Sequence, residues 1–195
     1  MMGTDLQRNL SKAMTYHLRH NEEVKASASG WVKIPRLLEE LNQKYSEEIT
    51  MNHISQIVDE SDKQRFELDR EHRVVRALYG HSKPDISIIN ENECTVEDTP
   101  EQLFHGTPVS NEESIESIGL QPQSRNTVHL TSDISMAIET ALRHREEGED
   151  LVVYAIDTQE FLEAHTLRNP SGETFTASEV PPEYLRVEKR ITGWT

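Results

Sequence analysis

The spacing of apolar residues changes about half-way along this chain, and that change constrains the fold more than any single motif. Residues 4–60 carry apolar side chains at helical spacing, and two strand-like runs follow at 64–68 and 73–77. Beyond residue 100, strand-like runs alternate with short helical runs. This pattern predicts an α+β protein built from two lobes in series.

The first half has the pattern of three helices followed by a β-hairpin, which is the arrangement of a winged helix. A helix running to about His20 has an apolar stripe along one side. Pro35 suits the start of the second helix, and Thr50 suits the N-cap of the third. The polar, turn-prone residues 69–72 separate the two hairpin strands. We therefore predict a winged-helix lobe over residues 1–83.

The second half predicts a different lobe. Residues 84–100 are rich in Asn, Pro, Thr and acidic residues, a composition typical of a linker. In the segment 101–195, strand-like runs and helical runs alternate: strands at 102–105, 127–130, 151–156 and 184–191, and helices near 110–118 and 133–146. Gly119 suits the end of the first of these helices, and Ser132 or Asp133 suits the start of the second. The mixture predicts a compact α+β lobe over 101–195.

Composition narrows the class of protein. The 195 residues include 35 acidic and 20 basic side chains, so the overall field of this chain repels nucleic acid. Screening over roughly 8 Å still allows a local basic cleft on an acidic body. The single cysteine, Cys94, excludes an intramolecular disulfide and a cysteine-rich zinc site. With no secretory leader or long apolar run, the sequence predicts a cytoplasmic protein without a membrane partner, and we favour a monomer.

Basic residues and histidines stand close together at three places along this acidic chain. Arg19 and His20 end the first helix, Arg76 precedes Gly80-His81-Ser82, and Arg143 precedes a further histidine. Arginine binds phosphate through a planar fork that makes two charge-assisted hydrogen bonds. A histidine at a helix C-terminus is favoured as a cation and can transfer a proton. Together the three places suggest an active site that handles phosphate.

Each place taken alone also has a simpler interpretation. A solvated helix end accounts for the first pair, a surface ion pair accounts for Arg76, and ion pairing among glutamates accounts for Arg143. His129 fits a core strand equally well as a histidine whose hydrogen bonds are satisfied. His105-Gly-Thr107 follows a short apolar strand, where the glycine would let a ligand approach the backbone closely.

Motifs for a metal or for the common nucleotide-binding loops are absent from the sequence. The nine histidines include no His-x-x-x-His pair with a supporting carboxylate, so a zinc site is not expected. The chain has neither Gly-x-x-x-x-Gly-Lys nor Gly-x-Gly-x-x-Gly. It therefore predicts neither a P-loop nor a Rossmann site.

The ordered set of motifs resembles the RNA 2′-phosphotransferase family (KptA, the tRNA splicing phosphotransferases). The matching segments follow the family's order and span nearly the whole chain: Leu10-Ser-Lys12, Tyr16-His-Leu-Arg-His20, Gly30-Trp-Val32, Asp62-Lys-Gln-Arg-Phe66, Arg76 to Ser82, His105-Gly-Thr107, Val128-His-Leu130, Ala141-Leu-Arg-His144 and Val180-Pro-Pro-Glu-Tyr184. The segment between His20 and Gly30 is shorter than is usual in the family, and Thr131 replaces the usual serine.

The resemblance implies an N-terminal winged-helix lobe that binds RNA and a C-terminal ADP-ribosyltransferase-like lobe that binds NAD. It also implies a two-step reaction, in which the 2′-phosphate of an RNA attacks the nicotinamide ribose and expels nicotinamide. The 2″-hydroxyl of that ribose then attacks the phosphate. The products are RNA with a free 2′-hydroxyl and ADP-ribose 1″,2″-cyclic phosphate, and no metal is required.

The same resemblance assigns roles to individual residues. By motif, four residues would be catalytic: Arg19, His20, Arg76 and Arg143. The arginines would clamp the phosphate, and the histidine would assist proton transfer. A second set would line the NAD site: His81, Ser82, His105, Gly106, Thr107, His129 and Leu130. The substrate implied is RNA carrying an internal 2′-phosphate.

Two other functions stay open from the sequence. The same site would also serve an ADP-ribosyltransferase that caps terminal phosphates of RNA or DNA, or that modifies a protein. A DNA-binding winged helix with a sensor domain is the non-enzymatic alternative. Its recognition helix, near residues 50–60, contains no Lys or Arg to meet phosphate, which disfavours duplex binding.

Overall fold

The computed structural model describes residues 3–61, 64–83, 85–86 and 93–193. The chain forms two compact units, Met1–Ile89 and Asn90–Thr195. Each unit contains helices, a sheet and a hydrophobic core of its own, so the predicted α+β class is confirmed. Asp62 and Lys63 of one predicted motif lie outside the described residues, as do residues 84 and 87–92 of the predicted linker.

The first unit consists of three helices and a three-stranded antiparallel sheet. In chain order the elements are α1 (Thr4–Arg19), β1 (Val32–Lys33), α2 (Ile34–Asn42), α3 (Met51–Asp59), β2 (Phe66–Asp69) and β3 (Val74–Ala77). The sheet order is β1-β3-β2. The apolar stripe predicted on α1 is present, because Leu10, Met14 and Leu18 are fully buried in the core of this unit.

Local sequence signals fix the ends of these helices. Thr50 caps α3 in a capping box, in which the Thr50 backbone N–H donates to Nδ1 of His53 at 3.1 Å. Pro35 lies in the first turn of α2, where its missing N–H costs nothing. The backbone N–H of His20 donates to the Tyr16 carbonyl at 2.9 Å, which places His20 at the C-terminus of α1.

The second unit is built on a five-stranded antiparallel sheet. Its strands are β4 (Gln102–Pro108), β5 (Val128–Thr131), β6 (Leu151–Asp157), β7 (Thr174–Ala177) and β8 (Arg186–Ile191), in the order β7-β5-β4-β6-β8. Three helices accompany the strands: α4 (Glu112–Ile118), α5 (Ile134–Leu142) and α6 (Thr158–Leu162). Among the described helices of either unit, none has the length and hydropathy that a bilayer crossing requires.

Helix α5 packs closely on strand β4 and positions the Arg143 segment. Asp133 caps the helix by accepting a hydrogen bond from the Ser135 backbone N–H at 2.8 Å. A Cβ atom at Gly106 would come within 2.2 Å of the Ala137 carbonyl oxygen, so only glycine permits this contact. The helix ends at Leu142 and not near 146 as predicted, which leaves Arg143 as its C-cap.

Candidate active site

The C-terminus of α1 contacts the segment that follows β3. The backbone N–H of Ser82 donates to the Arg19 carbonyl at 3.1 Å, and its hydroxyl lies 2.9 Å from Nδ1 of His20. These two contacts hold the Arg19-His20 pair against residues 80–83. We call Arg19, His20, Arg76, His81 and Ser82 the first-unit cluster.

Arg19 lies between an aromatic ring and a glycine. Its guanidinium carbon is 4.7 Å from the ring centroid of Tyr79, a cation–π contact. On Gly80, which has a φ of 80°, a Cβ would lie 3.0 Å from Nη1 of Arg19. Glycine is therefore favoured at position 80 for two reasons: the backbone has a positive φ, and Arg19 occupies the space that a side chain would need.

Arg76 has an ion pair and an aromatic neighbour within the first unit. Its Nε donates to Oε2 of Glu67 at 2.7 Å, its Nη2 forms an ion pair with the same oxygen at 2.6 Å, and its Nη1 donates to the Ser29 carbonyl at 3.2 Å. Its guanidinium carbon lies 4.5 Å from the centroid of the Trp31 ring. The surface ion pair considered from the sequence is thus present. The two hydrogen bonds use Nε and one N–H of Nη1, so the outer nitrogens of the guanidinium keep N–H groups that suit a ligand.

His81 is held in its neutral form. Burial lowers its pKa to about 3, and the charges of Arg19, Lys83, His20 and Arg76 act in the same direction. The side chain is buried, and its Nε2 atom has no hydrogen-bond partner among the residues that the structure describes. A buried imidazole nitrogen of this kind is suited to a ligand's hydroxyl or amide group.

A buried lysine anchors the same segment to α1. Lys83 Nζ donates to the carbonyl oxygens of His17 at 3.1 Å and Val24 at 2.8 Å. Burial, reinforced by the charge of Lys25, lowers the pKa of Lys83 to about 8. The ammonium therefore satisfies a carbonyl in the last turn of α1, where the helix itself supplies no donor.

The second unit brings together two of the predicted histidines. Nδ1 of His105 donates to the His129 carbonyl at 3.0 Å, and burial lowers the His105 pKa. A neutral His105 with its proton on Nδ1 has an acceptor lone pair on Nε2. Arg125 Nη1 lies 3.0 Å from Nδ1 of His129, and since a guanidinium only donates, this nitrogen of His129 accepts.

The other predicted residues of this unit contribute in different ways. The Thr107 hydroxyl accepts a hydrogen bond from the Asn111 side-chain amide at 2.9 Å. Gly106 has a packing role, because α5 occupies the space beside its Cα. Leu130 is 2% exposed: its side chain lies in the hydrophobic core, and the residue pairs with Phe175 of β7 in the sheet.

Arg143 is exposed at the end of α5. Its Nη2 donates to the Thr140 hydroxyl at 2.9 Å, and within the described part of the chain it forms no ion pair with the nearby glutamates. The positive charge of Arg143 adds to burial in lowering the pKa of Arg125. His144 likewise contributes to lowering the pKa of His105. Arg143 is therefore an electrostatic neighbour of Arg125, and His144 is one of His105.

The structure thus divides the eleven predicted site residues between the two units. The first-unit cluster holds five of them, and the second unit holds the other six: His105, Gly106, Thr107, His129, Leu130 and Arg143.

Comparison with known proteins identifies the family. The sequence model described as "RNA 2'-phosphotransferase, Tpt1 / KptA family" matches residues 5–172. This chain belongs to that family. The resemblance drawn from the motifs is therefore confirmed.

Individual members of the RNA 2′-phosphotransferase family match along most of the chain. A "Probable RNA 2'-phosphotransferase" of Acetivibrio thermocellus is 33% identical over 183 residues, which are 92% of this chain and 96% of that relative. One of Rhizobium johnstonii is 33% identical and covers 95% of this chain and 96% of its own length. One of Thermococcus kodakarensis is 36% identical over 157 residues, 78% of this chain and 81% of its own.

Several side chains at the candidate site of this RNA 2′-phosphotransferase family member were not predicted from its sequence. They are four partners of predicted residues and the lysine that anchors the segment after β3 to α1: Glu67, Tyr79, Asn111, Arg125 and Lys83. The contact between Glu67 and Arg76 could be predicted from the sequence, because the hairpin register places the two residues directly opposite each other. The contacts of Lys83 could not, because its two acceptors are 66 and 59 residues away in sequence.

Proposed function

We propose that this protein is an NAD-dependent RNA 2′-phosphotransferase, which removes an internal 2′-phosphate from RNA by transferring it to NAD. The observation that carries the proposal is the first-unit cluster in a member of this family. Arg19, His20 and Arg76 all act electrostatically on His81, so three groups suited to phosphate chemistry lie around one buried neutral imidazole. This concentration of positive charge occurs in a chain whose formal net charge is −15.

We propose a winged helix for the first unit and an ADP-ribosyltransferase-like fold for the second. The order helix, strand, two helices and hairpin, with β1 added to the hairpin at β3, supports the first assignment. The five-stranded antiparallel sheet with α5 packed on β4 supports the second. The assignments also agree with what the family resemblance implies for the two lobes.

The arginines are assigned to the phosphate oxygens. Each charge-assisted hydrogen bond to a phosphate contributes about 1.5 to 3 kcal/mol. Arg19 is held by Tyr79, and Arg76 by Trp31 and Glu67, so both guanidinium groups are oriented before substrate binds. Arg143 is the fourth catalytic residue by motif. Preorganised charge of this kind stabilises a transition state in which charge builds up on the phosphoryl oxygens.

His20 is assigned to proton transfer. The Ser82 hydroxyl 2.9 Å from Nδ1 restrains the ring, so the imidazole that exchanges a proton with the substrate is held in one orientation. This role matches the second step of the reaction, in which a hydroxyl group must lose its proton and the RNA 2′-oxygen must gain one.

The neutral histidines are assigned to NAD. NAD supplies the ribose carbon that accepts the phosphate, with nicotinamide as its leaving group. Nε2 of His81 and Nε2 of His105 suit sugar hydroxyls or amide groups, and the Thr107 hydroxyl adds a further polar group. Neutral donors and acceptors of these types fit a nucleotide's ribose and carboxamide.

A single incubation tests the proposal. The protein is mixed with NAD and an oligonucleotide carrying one internal 2′-phosphate, and the products are measured by mass spectrometry. We expect RNA with a free 2′-hydroxyl, nicotinamide and ADP-ribose 1″,2″-cyclic phosphate in equal amounts. Arg19→Ala serves as the inactive control. A stable ADP-ribosylated RNA as the end product would instead favour an ADP-ribosyltransferase, and no release of nicotinamide would contradict both functions.

A further inference from the structure

Three cations of the first unit lie over aromatic rings, and one of these pairs has no part in the proposed reaction. Arg19 lies over Tyr79, Arg76 lies over Trp31, and Lys44 lies over Tyr16. The first two pairs orient the arginines assigned to the phosphate. The third pair has no such explanation, and it is the one whose ring is half exposed.

The third pair adjoins the catalytic histidine. The Tyr16 ring is 50% exposed, and its centroid lies 6.4 Å from that of the His20 ring. Lys44 Nζ is 5.2 Å from the centroid of Tyr16. Single exposed rings are common on protein surfaces, but this ring lies beside both a lysine and the histidine assigned to proton transfer, which is the setting of a base-stacking site.

Charge near the ring favours an anionic ligand. Lys12 precedes Tyr16 by four residues on α1, so the two exposed side chains are neighbours on the same face. Glu40, a carboxylate in the same region, is already paired with Arg36 at 2.6 Å. The surface around Tyr16 therefore offers cations on a chain that is otherwise strongly acidic.

An aromatic ring flanked by lysines is suited to single-stranded RNA. Proteins bind unpaired bases by stacking them on aromatic side chains, while cations contact the backbone phosphates. We propose that Tyr16 and Lys44 form a subsite for the RNA strand, in which Tyr16 stacks on the base adjoining the 2′-phosphate at His20 and Lys44 contacts a neighbouring backbone phosphate. The inference rests on the proposed RNA substrate and adds the part of the protein that holds its bases.

The decisive experiment removes the ring and the base separately. Oligonucleotide binding is measured by fluorescence anisotropy, and turnover by nicotinamide release. The substrates are a 2′-phosphorylated single strand and the same strand made abasic at the positions adjoining that phosphate. We expect Tyr16→Ala to raise Kd and KM about tenfold on the intact strand with kcat retained, because the variant loses the stacking of one base on one aromatic ring. Tyr16→Phe retains the ring and should bind as the wild type does.

On the abasic strand, the wild type and Tyr16→Ala should bind equally weakly. If Tyr16→Ala weakens binding of both strands by the same factor, or of neither, the stacking role is wrong. Ile118→Ala is the matched control, because it removes a side chain of similar exposure from the second unit. Tyr16 is exposed on a helix and alanine is a strong helix former, so the variant should fold, and circular dichroism checks this.

The role of Lys44 is tested by salt. Each phosphate contact on a single strand adds about 0.7 to the slope of log Kd against log salt concentration, so Lys44→Ala should lower the slope by that amount. Lys189→Ala, which removes an exposed lysine on β8, should leave the slope unchanged. An unchanged slope in Lys44→Ala would show that Lys44 does not contact a phosphate of the bound strand.

The subsite and the proposed activity can fail separately. If the wild type turns over the substrate while Tyr16→Ala behaves as the wild type, the subsite is wrong and the activity stands. If the wild type releases no nicotinamide but binds the intact strand more tightly than the abasic one in a Tyr16-dependent way, the activity is wrong and the subsite stands.

Discussion

The Ser82 hydroxyl lies 2.9 Å from Nδ1 of His20, although 62 residues of sequence separate the two. The same serine binds the Arg19 carbonyl through its backbone N–H. One residue of the segment after β3 thus fixes both the course of the backbone and the orientation of the imidazole at the end of α1. The proposed catalytic pair is therefore positioned by a contact between distant parts of the first unit.

Ser82→Ala tests that positioning. The backbone contact to Arg19 survives in the variant, whereas the contact to the His20 ring is lost. Because small misplacements of a catalytic group are costly, we expect kcat to fall by about ten- to a hundredfold, with little change in thermal stability. Ser82→Thr, which keeps the hydroxyl, should recover most of the rate. A Ser82→Ala enzyme with wild-type kcat would show that the imidazole is oriented by other contacts.

The low pKa of His81 predicts a loss of stability in mild acid. In the folded protein burial lowers the pKa to about 3, against 6.5 for the free side chain. Between these values the unfolded chain binds a proton that the folded chain does not, so stability is full above pH 6.5 and falls as the pH decreases. At pH 5, His81 alone lowers the free energy of unfolding by about 2 kcal/mol relative to its value above pH 6.5. His17 and His105, whose pKa values are also lowered, act in the same direction.

Urea unfolding at pH 7.5 and at pH 5.0 measures this loss. His81→Gln cannot gain the proton, so its two unfolding free energies should differ by about 2 kcal/mol less than those of the wild type. An equal difference in the variant and the wild type would mean that other groups carry the acid sensitivity.

Lys83→Met removes the ammonium that binds two carbonyl groups beneath α1. The His17 and Val24 carbonyl oxygens would lose their charged donor in a buried position, and we expect a loss of about 1 to 3 kcal/mol in the free energy of unfolding. Lys83→Arg, which keeps donors and charge, should lose less. Thermal melts of the three proteins at pH 7 make the comparison, and a Lys83→Met protein as stable as the wild type would contradict the anchoring role.

Gly106→Ala tests the contact between α5 and β4. The new methyl group would lie 2.2 Å from the Ala137 carbonyl, so the helix must move away from the sheet. Overpacking of this kind costs about 1 to 3 kcal/mol or more. Gly3→Ala is the control, because no atom lies within 4 Å of the added methyl. Differential scanning calorimetry should show a lower melting temperature for the first variant alone.

Local signals made much of the fold predictable. The capping residues of α3 and α5, the buried stripe on α1 and the hairpin all depend on neighbours within a few residues. Helix α6 and strand β7 were missed because elements of five and four residues are too short to show a period. The end of α5 was placed four residues too late because no glycine or proline marks it.

The candidate site was likewise only partly predictable from the sequence. Residues within short motifs, such as Arg19-His20 and His105 to Thr107, were found from the sequence. The contacts that orient them were not, because the partners of Arg19 and His20 lie on a segment some sixty residues further on. A packing role for Gly106 also depends on α5, which the tripeptide alone does not reveal.

The close contact between Arg19 and Gly80 restricts the substitutions that this family member can accept. A side chain at position 80 would compete with the guanidinium for the same space, and the left-handed backbone there would resist it as well. A substitution at position 80 is therefore expected to displace the Arg19 guanidinium as well as to strain the backbone. In evolutionary terms, position 80 is expected to stay glycine for as long as Arg19 is retained, so the arginine restricts drift at a residue that has no side chain of its own.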